Sequence, residues 1–313
     1  MSDDVRDVAI IGGGPAGLTA ALYGARARAN TVVFETALPG GQIITTDWIE
    51  NYPGMPEGLN GARLGELMHA HAEKFGAQFR TFAQVEKLTD ESGGFRIEAD
   101  DESFLARTVI LATGAVPRKL GIAGEAEYTG RGVSWCATCD GALYRGKTVA
   151  VVGGGDAALE EAMFLTKFAE RVHLVHRRDE FRATKCIQER AFANDKIELH
   201  LGRIPVEVVG HMGKVAGLVL ETAAGDAAET LDVQGVFEFV GVHPNSDLVR
   251  DLAKLAEGGW VMVDNSMGTS YQGLFAAGDV TDTPLKQVVT AAGQGATAAF
   301  EALRYLDSGV CPL

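Results

Sequence analysis

The sequence predicts an α/β fold with two doubly wound, three-layer units. The main observation is a pattern that occurs twice: a short apolar strand, a glycine-rich turn, a helix and a second strand. The two copies begin at residues 7–11 and 148–152. A length of 313 residues also favours two domains, and a hydrophobic content of 46% is sufficient for two cores.

The first copy contains a GxGxxG turn formed by Gly12, Gly14 and Gly17. Glycine allows the tight turn, the close approach of the backbone to a pyrophosphate and close helix packing, and the helix N-terminus offers free N–H groups to phosphate. Glu35 ends the second strand, where a carboxylate accepts hydrogen bonds from ribose hydroxyls and repels a 2′-phosphate. A glycine-rich turn without a ligand is the alternative, but the flanking elements favour a dinucleotide site.

The second copy has a GxGxxA turn formed by Gly153, Gly155 and Ala158. Its second strand ends in basic residues and has no acid at the position of Glu35. Arginines at this position match the charge of a 2′-phosphate and its paired hydrogen bonds, so the second site is predicted to bind NADP(H). The alternative is a solvated basic strand end. The residues assigned to this site are Gly153, Gly155, Asp156, His176, Arg177, Arg178 and Arg182.

The rest of the chain is predicted to contain β-rich segments and a terminal helix. Alternation over residues 80–112 predicts an antiparallel meander, and residues 206–240 are again β-rich. Residues 273–280 indicate a strand that ends in Gly-Asp, and a helix follows over residues 291–306.

Charge and hydropathy exclude several classes of protein. The net charge of −14 argues against binding to nucleic acid or to an anionic membrane surface. The acidic N-terminus does not resemble a signal peptide, and no apolar run reaches the length of a membrane span, so a cytoplasmic protein is expected.

The stretch SWCATCD, residues 134–140, contains a CxxC pair formed by Cys136 and Cys139. A zinc site would need further ligands, and Cys186 and Cys311 are isolated in the sequence. His173 and His176 could complete a set, but Arg177 and Arg178 place positive charge at that strand end. A structural disulfide is disfavoured in a reducing compartment. We therefore expect no metal and a redox dithiol. Asp140 is placed to exchange the thiol proton, or alternatively to cap the next turn.

These motifs together resemble those of the bacterial-type, low-molecular-weight thioredoxin reductases. The similarity extends over essentially the whole chain, through GGGPAG, GGQIITTDWIENYPG, ATGAVPR, WCATCDG, GGGDAALEEA, HRRDEFRA and GLFAAGDVTDTPLKQVVTAAGQG. It implies bound FAD, NADPH as donor, thioredoxin as acceptor and a homodimer. It also implies a Rossmann-like FAD domain at residues 1–116 and 246–313, with an inserted NADPH domain at 117–245 that carries the CxxC.

The resemblance also implies which residues line the flavin. Trp135, Ala157 and Lys286 depart from residues frequent in the family, and Ala157 places one polar contact near NADPH in doubt. The residues assigned to FAD are Gly12, Gly14, Pro15, Ala16, Gly17, Glu35, Gly41, Gln42, Asn51, Gly278, Asp279, Lys286, Gln287 and Val288.

The implied reaction is that NADPH reduces FAD, FAD reduces the Cys136–Cys139 disulfide, and the dithiol reduces thioredoxin. Which sulfur faces the flavin stays open. Two alternatives also stay open: a relative that reduces ferredoxin or a small disulfide, and a redox-sensing flavoprotein whose dithiol controls partner binding. Ferredoxin reduction would not require the two cysteines, which weakens that alternative.

Overall fold

The computed structural model describes residues 5–46, 49, 51–91, 93–222, 225 and 228–309, without the side chains of Thr45, Thr138 and Cys139. The chain divides into two compact units. Unit 1 comprises Met1–Val116 and His243–Leu313, and unit 2 comprises Pro117–Val242. The predicted α/β class, with one doubly wound unit inserted into another, is confirmed. The sequence placed the second boundary after residue 245, whereas unit 2 ends at Val242.

The strands are named in chain order. They are β1 (Arg6–Ile11), β2 (Thr31–Glu35), β3 (Gln78–Thr81), β4 (Val85–Glu91), β5 (Gly94–Ala99), β6 (Glu102–Leu111), β7 (Ala115–Pro117), β8 (Val133–Ser134), β9 (Thr148–Gly153), β10 (Arg171–His176), β11 (Ile197–Leu201), β12 (Arg203–His211), β13 (Lys214–Thr222), β14 (Glu229–Leu231), β15 (Gly235–Phe239), β16 (Val242–Pro244) and β17 (Leu274–Ala276).

The α-helices are named in the same way, and short 3-10 turns cover Gly41–Thr45, Gly141–Tyr144 and Asp247–Val249. The helices are α1 (Pro15–Arg26), α2 (Gly61–Lys74), α3 (Glu125–Tyr128), α4 (Ala137–Asp140), α5 (Asp156–Leu165), α6 (Lys185–Phe192) and α7 (Val288–Asp307). None of the helices in the described residues has both the length and the apolar content of a membrane span.

Within its described residues, unit 1 contains a seven-stranded sheet in which β6 pairs with parallel strands and with an antiparallel strand. Along the described chain, β3, β2, β1, β6 and β17 pair in parallel, and β4, β5 and β6 form the antiparallel meander. One end of β6 pairs with β5 and the other end pairs with β17. The first segment of unit 1 therefore supplies four parallel strands, and the segment after unit 2 supplies the fifth.

Helices α1 and α7 pack on one face of this parallel sheet through small residues. Alanines at every turn, including Ala20, Ala298 and Ala299, are fully buried between them. A Cβ atom on Gly295 would lie 2.1 Å from the backbone oxygen of Ala16, so the two helices approach within backbone contact. The alanine- and glycine-rich C-terminal sequence is what permits this close packing, which brings the start of α7 beside the first glycine turn.

Unit 2 contains a parallel sheet in the order β11-β10-β9-β15-β8 and an antiparallel sheet β12-β13-β14. Side chains alternate across the parallel sheet, so each face has its own core. On one face Val151 and Leu174 pack with Leu159 of α5. On the other face Val152 and Val175 pack with the antiparallel sheet, as part of the cluster that contains Leu218 and Leu231.

Candidate functional site

Unit 1 contains a cavity of about 740 Å³ at the carboxyl ends of its parallel strands. Ligands of doubly wound sheets bind in this position, because the strand order reverses there and opens a crevice. The lining includes twelve of the fourteen residues that the sequence assigned to FAD. They are Gly12, Gly14, Pro15, Ala16, Glu35, Gly41, Gln42, Gly278, Asp279, Lys286, Gln287 and Val288.

The other two assigned residues support this lining without belonging to it. Gly17 is buried at the start of α1, where a Cβ atom would lie 1.9 Å from the backbone oxygen of Gly12. Asn51 donates a hydrogen bond from Nδ2 to Oε1 of Gln287 over 3.0 Å. The segment after the first 3-10 turn is thereby joined to the residue that precedes α7.

The first glycine turn has the close approaches that its sequence predicts. Gly12 has a φ of 107°, and a Cβ atom there would lie 2.3 Å from the backbone oxygen of Ala112. Gly41 also has a positive φ, and its Cβ atom would lie 2.8 Å from the Cα atom of Gly14. These positions admit only hydrogen, so the backbone N–H groups at the start of α1 stay open to the cavity.

Glu35 holds the glycine turn as well as facing the cavity. Its Oε2 atom accepts a hydrogen bond from the N–H of Gly13 at 2.7 Å, and Oε1 accepts one from the N–H of Ala37 at 2.9 Å. Oε1 also accepts a hydrogen bond from the Thr36 hydroxyl at 3.2 Å, so the remaining acceptor capacity at the end of β2 lies on Oε2. The negative charge at this point opposes the binding of a further phosphate.

The segment before α7 places a buried carboxyl and a lysine beside the same cavity. Burial raises the pKa of Asp279, and the nearby ammonium group of Lys286 opposes this rise. Lys286 donates hydrogen bonds to the backbone oxygens of Asp279 and Thr281, and its Nζ atom lies 3.9 Å from the ring centroid of Trp260. Gln287 is the N-cap residue of the 20-residue helix α7, whose N-terminus therefore opens onto the cavity.

Sequence analysis missed Asn245, which also lines the cavity and which the predicted boundary assigned to the inserted domain. Its Nδ2 atom donates to the backbone oxygen of Thr113 at 3.0 Å, and the Thr113 hydroxyl donates to the backbone oxygen of Asn245 at 2.6 Å. The two segments of unit 1 are joined at this point. The sequence carries no periodic signal for such a contact, because the two residues are 132 positions apart.

The second glycine turn connects β9 to α5 in unit 2. Gly153 faces the backbone oxygen of Phe239, which a Cβ atom would approach to 2.5 Å, whereas a Cβ atom on Gly155 would meet open space. Asp156 begins α5, and its Oδ1 atom accepts a hydrogen bond from the N–H of Thr184 at 2.6 Å. This bond fixes the loop between β10 and α6 against the glycine turn.

Three arginines surround the end of β10, as the sequence pattern indicates. Arg177, Arg178 and Arg182 are exposed, and within the described chain none of them forms an ion pair. Burial lowers the pKa of His176, and the charges of all three arginines add to this effect. They therefore form a positive cluster around one imidazole.

His176 itself is held in a tight, buried position. Its ring stacks on Phe181 with centroids 5.3 Å apart, and a Cβ atom on Gly154 would lie 2.2 Å from the ring. Its Nε2 atom is buried and has no hydrogen-bond partner among the described residues. Such an unsatisfied polar atom beside a glycine turn and a positive cluster fits a site that an anionic ligand completes.

Cys136 is disulfide-bonded and stands directly before the short helix α4, which contains Cys139. The Cys139 side chain lies outside the described part of the structure. The N–H of Cys136 donates to Oγ of Ser134 at 3.0 Å, and the N–H of Asp140 donates to the backbone oxygen of Cys136 at 3.2 Å. The half-buried Asp140 side chain makes no capping hydrogen bond to the 3-10 turn that follows.

The remaining cysteines are separate from this motif. Cys186 is a free, exposed thiol on α6, and Cys311 lies outside the described residues. Because Cys136 is bonded to sulfur, it is not a metal ligand in this structure.

A buried carboxyl group neighbours the residue that precedes the disulfide. Nε1 of Trp135 donates to Oε2 of Glu238 at 3.0 Å, and Glu238 is almost fully buried on β15. Burial raises the pKa of Glu238 to about 8, and the negative charge of Glu125 adds to the rise. Glu125 itself accepts hydrogen bonds from the N–H groups of Leu120, Gly121 and Ile122.

The profile of the family described as "Pyridine nucleotide-disulphide oxidoreductase" matches residues 6–295. The chain therefore belongs to this family, and membership implies a flavin and a pyridine nucleotide as cofactors.

Its relatives include proteins named thioredoxin reductase, so the resemblance indicated by the motifs is confirmed. The chain is 41% identical to "Thioredoxin reductase" of Bacillus subtilis over 309 residues, 98% of this chain and 97% of the relative. It is 46% identical to "Bifunctional thioredoxin reductase/thioredoxin" of Mycobacterium leprae over 307 residues, 97% of this chain and 66% of that protein. The crystal structure of Lactococcus lactis thioredoxin reductase (FR conformation) is similar with a TM-score of 0.94 at 41% identity, covering 97% of this chain and 99% of that one.

Proposed function

We propose that the chain is an NADPH-dependent thioredoxin-disulfide reductase that holds FAD in unit 1 and NADPH in unit 2. The observation that carries this proposal is the disulfide of Cys136, within a CxxC that precedes the glycine turn of the unit with the arginine cluster. A disulfide accepts two electrons, which is the quantity that a pyridine nucleotide delivers as hydride. The names of the relatives support thioredoxin as the acceptor.

We assign FAD to the cavity of unit 1. Its volume of about 740 Å³ suits a ligand of this size, and the glycine turn and the N-terminus of α1 are placed for a pyrophosphate. The Glu35 carboxylate favours ribose hydroxyls over a 2′-phosphate. Gln42, Gln287 and Asn245 supply polar groups for the ring system. When bound, the two cofactors supply hydride transfer and the electron pair that reduces a disulfide.

We assign NADPH to the turn of unit 2. Arg177, Arg178 and Arg182 would hold the 2′-phosphate, because their guanidinium groups are free of ion pairs within the described residues. The buried Nε2 atom of His176 would gain a partner in the same ligand. Ala157 is exposed beside this turn and supplies no polar contact.

The reduced pair of Cys136 and Cys139 would transfer electrons to thioredoxin by thiol–disulfide exchange. One thiolate attacks the thioredoxin disulfide, forms a mixed disulfide and releases a thioredoxin thiolate, which takes up a proton. The second thiolate attacks the mixed disulfide, releases the other thioredoxin sulfur and restores the disulfide of this chain. Two electrons and two protons thereby convert the thioredoxin disulfide to a dithiol. Either cysteine can start the sequence.

Asp140 would exchange the proton that accompanies these steps. Its carboxylate is half-buried next to the CxxC and, within the described residues, makes no capping bond to the 3-10 turn, which favours a role in proton transfer. Asp140→Asn should slow disulfide reduction about 10²- to 10⁴-fold, the usual contribution of a positioned acid or base. Rapid-mixing measurements test this, with the melting temperature as control. An unchanged rate with a lower melting temperature would show a purely structural role.

The assignment extends to assembly and location. We propose a homodimer, as the resemblance implies, and a cytoplasmic enzyme. A dithiol that is re-reduced by a pyridine nucleotide functions in a compartment that keeps thiols reduced.

The test is the visible absorption spectrum of the purified protein, titrated with NADPH and separately with NADH. A flavin spectrum that is bleached at lower NADPH than NADH concentration supports both cofactor assignments. Turnover is then measured with thioredoxin, ferredoxin and a small disulfide. Sustained NADPH oxidation with thioredoxin, but not with ferredoxin or the small disulfide, supports the proposed activity. Partner binding without turnover would favour a redox sensor, and the absence of a flavin would overturn the proposal.

A further inference from the structure

Two imidazoles and a carboxylate meet on one face of the parallel sheet in unit 2. The parallel register of β10 and β11 places His173 opposite Glu198 and Val175 opposite His200. Because side chains alternate along a strand, His173, Glu198 and His200 share the face opposite to that of Leu174. The antiparallel sheet covers this face, so the three side chains converge at the edge between the two sheets.

The polar atoms of these three side chains lie close enough together for one metal ion to bind them after small side-chain adjustments. Nδ1 of His173 lies 2.9 Å from Nε2 of His200 and 3.8 Å from Oε2 of Glu198, and Nε2 of His200 lies 3.5 Å from Oε1 of Glu198. Ligand atoms at about 2.0–2.1 Å from a tetrahedral Zn²⁺ are about 3.3–3.4 Å apart. Among the residues that the structure describes, this is the group of three whose ligand atoms all lie within 4.8 Å of one another.

The burial of the two histidine side chains also favours a metal site. Each imidazole side chain is 11% exposed, whereas the Glu198 side chain is 45% exposed. The two nitrogen ligands are thus held in a desolvated position, and the carboxylate leaves a path from solvent. A fourth ligand would be a water molecule on this open side.

A second carboxylate is placed to orient one of the imidazoles. Oε1 of Glu229 on β14 lies 3.7 Å from Nδ1 of His200, the nitrogen that faces away from the other ligands. A carboxylate in this position favours the tautomer with the proton on Nδ1, which leaves the lone pair of Nε2 for a metal. Arg203 lies 3.5 Å from the other oxygen of Glu229 and holds it in place.

Among the polar contacts described, two guanidinium groups oppose a cation here: Arg203, which pairs with Glu229, and Arg171, which contacts a proposed ligand directly. The Nη1 atom of Arg171 donates to Oε2 of Glu198 at 2.8 Å. The other oxygen, Oε1, is the one closer to His200 and remains able to coordinate. The Arg171 charge would weaken metal binding without blocking it. A variant in which Arg171 is replaced by a neutral residue should therefore bind the metal more tightly.

We propose that His173, Glu198 and His200 form a binding site for a divalent transition-metal ion of the Zn²⁺ class, separate from the CxxC. Two imidazole nitrogens and one carboxylate oxygen suit such ions, whereas Mg²⁺ and Ca²⁺ require mainly oxygen ligands. The direct His173–His200 hydrogen bond is replaced when the metal binds, since both nitrogens then use their lone pairs. A bound ion would join the edge strand β11 to β10 and stabilise unit 2.

The test is isothermal titration of the flavin-loaded, oxidised protein with Zn²⁺, and in parallel with Mg²⁺. Oxidation keeps Cys136 in its disulfide, and alkylation blocks exposed thiols such as Cys186, so cysteine binding is excluded. We expect about one Zn²⁺ per chain, a higher melting temperature with Zn²⁺, and no response to Mg²⁺. No Zn²⁺ binding, or equal binding of Mg²⁺, would overturn the proposal.

Variants then locate the ion. His200→Asn should remove the binding, and Glu229→Gln should weaken it about 10- to 100-fold, as loss of an orienting partner does. Arg171→Gln should strengthen it.

The matched control is His69→Asn, which removes a histidine that lies 3.6 Å from Glu73 on α2. This variant should bind Zn²⁺ as the unaltered protein does. If His200→Asn fails to fold, Glu198→Gln serves instead, because its side chain is 45% exposed. Binding that is unchanged in Glu198→Gln, or lost in His69→Asn, would show that the ion binds elsewhere.

Discussion

The two glycine turns of this chain share one backbone pattern but differ at the end of the following strand. In unit 1, Glu35 accepts hydrogen bonds from the N–H groups of Gly13 and Ala37 and presents a negative charge. In unit 2, Arg177 and Arg178 extend from the equivalent strand end without ion pairs among the described residues. If the proposed assignments hold, the shared backbone pattern binds a phosphate in both units, and the residues at the following strand end select the nucleotide.

The two turns also differ in how closely the helix approaches them. A Cβ atom on Gly17 would lie 1.9 Å from the backbone oxygen of Gly12, whereas unit 2 has Ala158 at the matching position. There the Ala158 methyl lies beside Gly153, whose own Cβ atom would approach it to 2.6 Å. The second turn thus has room for an alanine at this position, whereas the first turn has room only for glycine.

The largest expected effect concerns the disulfide that only the second unit carries before its turn. Cys136→Ser and Cys139→Ser should each abolish thioredoxin reduction and leave flavin reduction by NADPH intact, since separate groups perform the two half-reactions. Stopped-flow absorbance and a thioredoxin assay measure them separately. Cys186→Ser, on the exposed thiol, is the control and should retain both activities. Substantial thioredoxin reduction by either of the first two variants would contradict the dithiol role.

The next largest effect is expected from substitution at Gly17, where α1 packs against the backbone of the first glycine turn. Gly17→Ala should destabilise unit 1 by about 3 kcal/mol and weaken flavin retention, because the new methyl overlaps a backbone oxygen. Thermal unfolding and the flavin content of the purified protein measure this. The reciprocal change Ala158→Gly should cost only about 1–2 kcal/mol, from helix propensity and the loss of one buried methyl group. If the two variants lost the same free energy of unfolding, the proposed difference in helix packing between the two turns would be wrong.

The preference for NADPH over NADH should depend on the arginines that follow β10 in unit 2. Arg177→Ala combined with Arg178→Ala should raise the KM for NADPH about 10- to 100-fold and leave NADH nearly unchanged, because charged hydrogen bonds are worth about 1.5–3 kcal/mol. Arg63→Ala, on an exposed arginine paired with Glu66 in unit 1, is the matched control. A similar rise for both nucleotides would contradict the assignment.

The last expected effect concerns pH and a buried carboxyl, Glu238, in the parallel sheet of unit 2. The pKa of Glu238 is raised from 4.5 to about 8. The unfolded chain therefore loses this proton at lower pH than the folded chain does, so stability falls as pH rises from about 4.5 to 8. Between pH 6 and 9 the loss should be about 2–3 kcal/mol, because nearly all of it falls between pH 6 and 8 at about 1.4 kcal/mol per pH unit.

Glu238→Gln should remove this pH dependence, because an amide does not titrate. Urea unfolding at pH 6 and pH 9 compares it with the unaltered protein, and Glu66→Gln on the exposed face of α2 is the control. Parallel pH profiles for Glu238→Gln and the unaltered protein would show that this carboxyl does not titrate in the fold.

Much of the fold follows from local sequence pattern. The two strand–turn–helix–strand units, the meander now seen as β4 to β6, and the terminal helix were all predictable, because glycine turns and alternating apolar residues act over a few positions. The CxxC and the arginine cluster could be predicted for the same reason, because their residues lie close together in the sequence. Twelve of the residues assigned to FAD line one cavity, although they come from segments far apart in the chain.

Other features depend on contacts between distant segments. Asn245 escaped notice because its partner Thr113 lies in the other segment of unit 1. The group of His173, Glu198 and His200 has no local sequence signal for the same reason. The sequence suggests His173 only as a partner of the CxxC, whereas the register of β10 with β11 brings it to Glu198.

The fold class, the two glycine turns with their opposite charges and the redox pair can be read from the amino-acid sequence alone, since each depends on residues within a few positions of one another. Which side chains become buried and which distant groups meet depends on the packing of the folded chain. Glu238 acquires its raised pKa because folding removes it from water beside Glu125. Desolvation and strand register are properties of the packed molecule, and no short stretch of sequence encodes them.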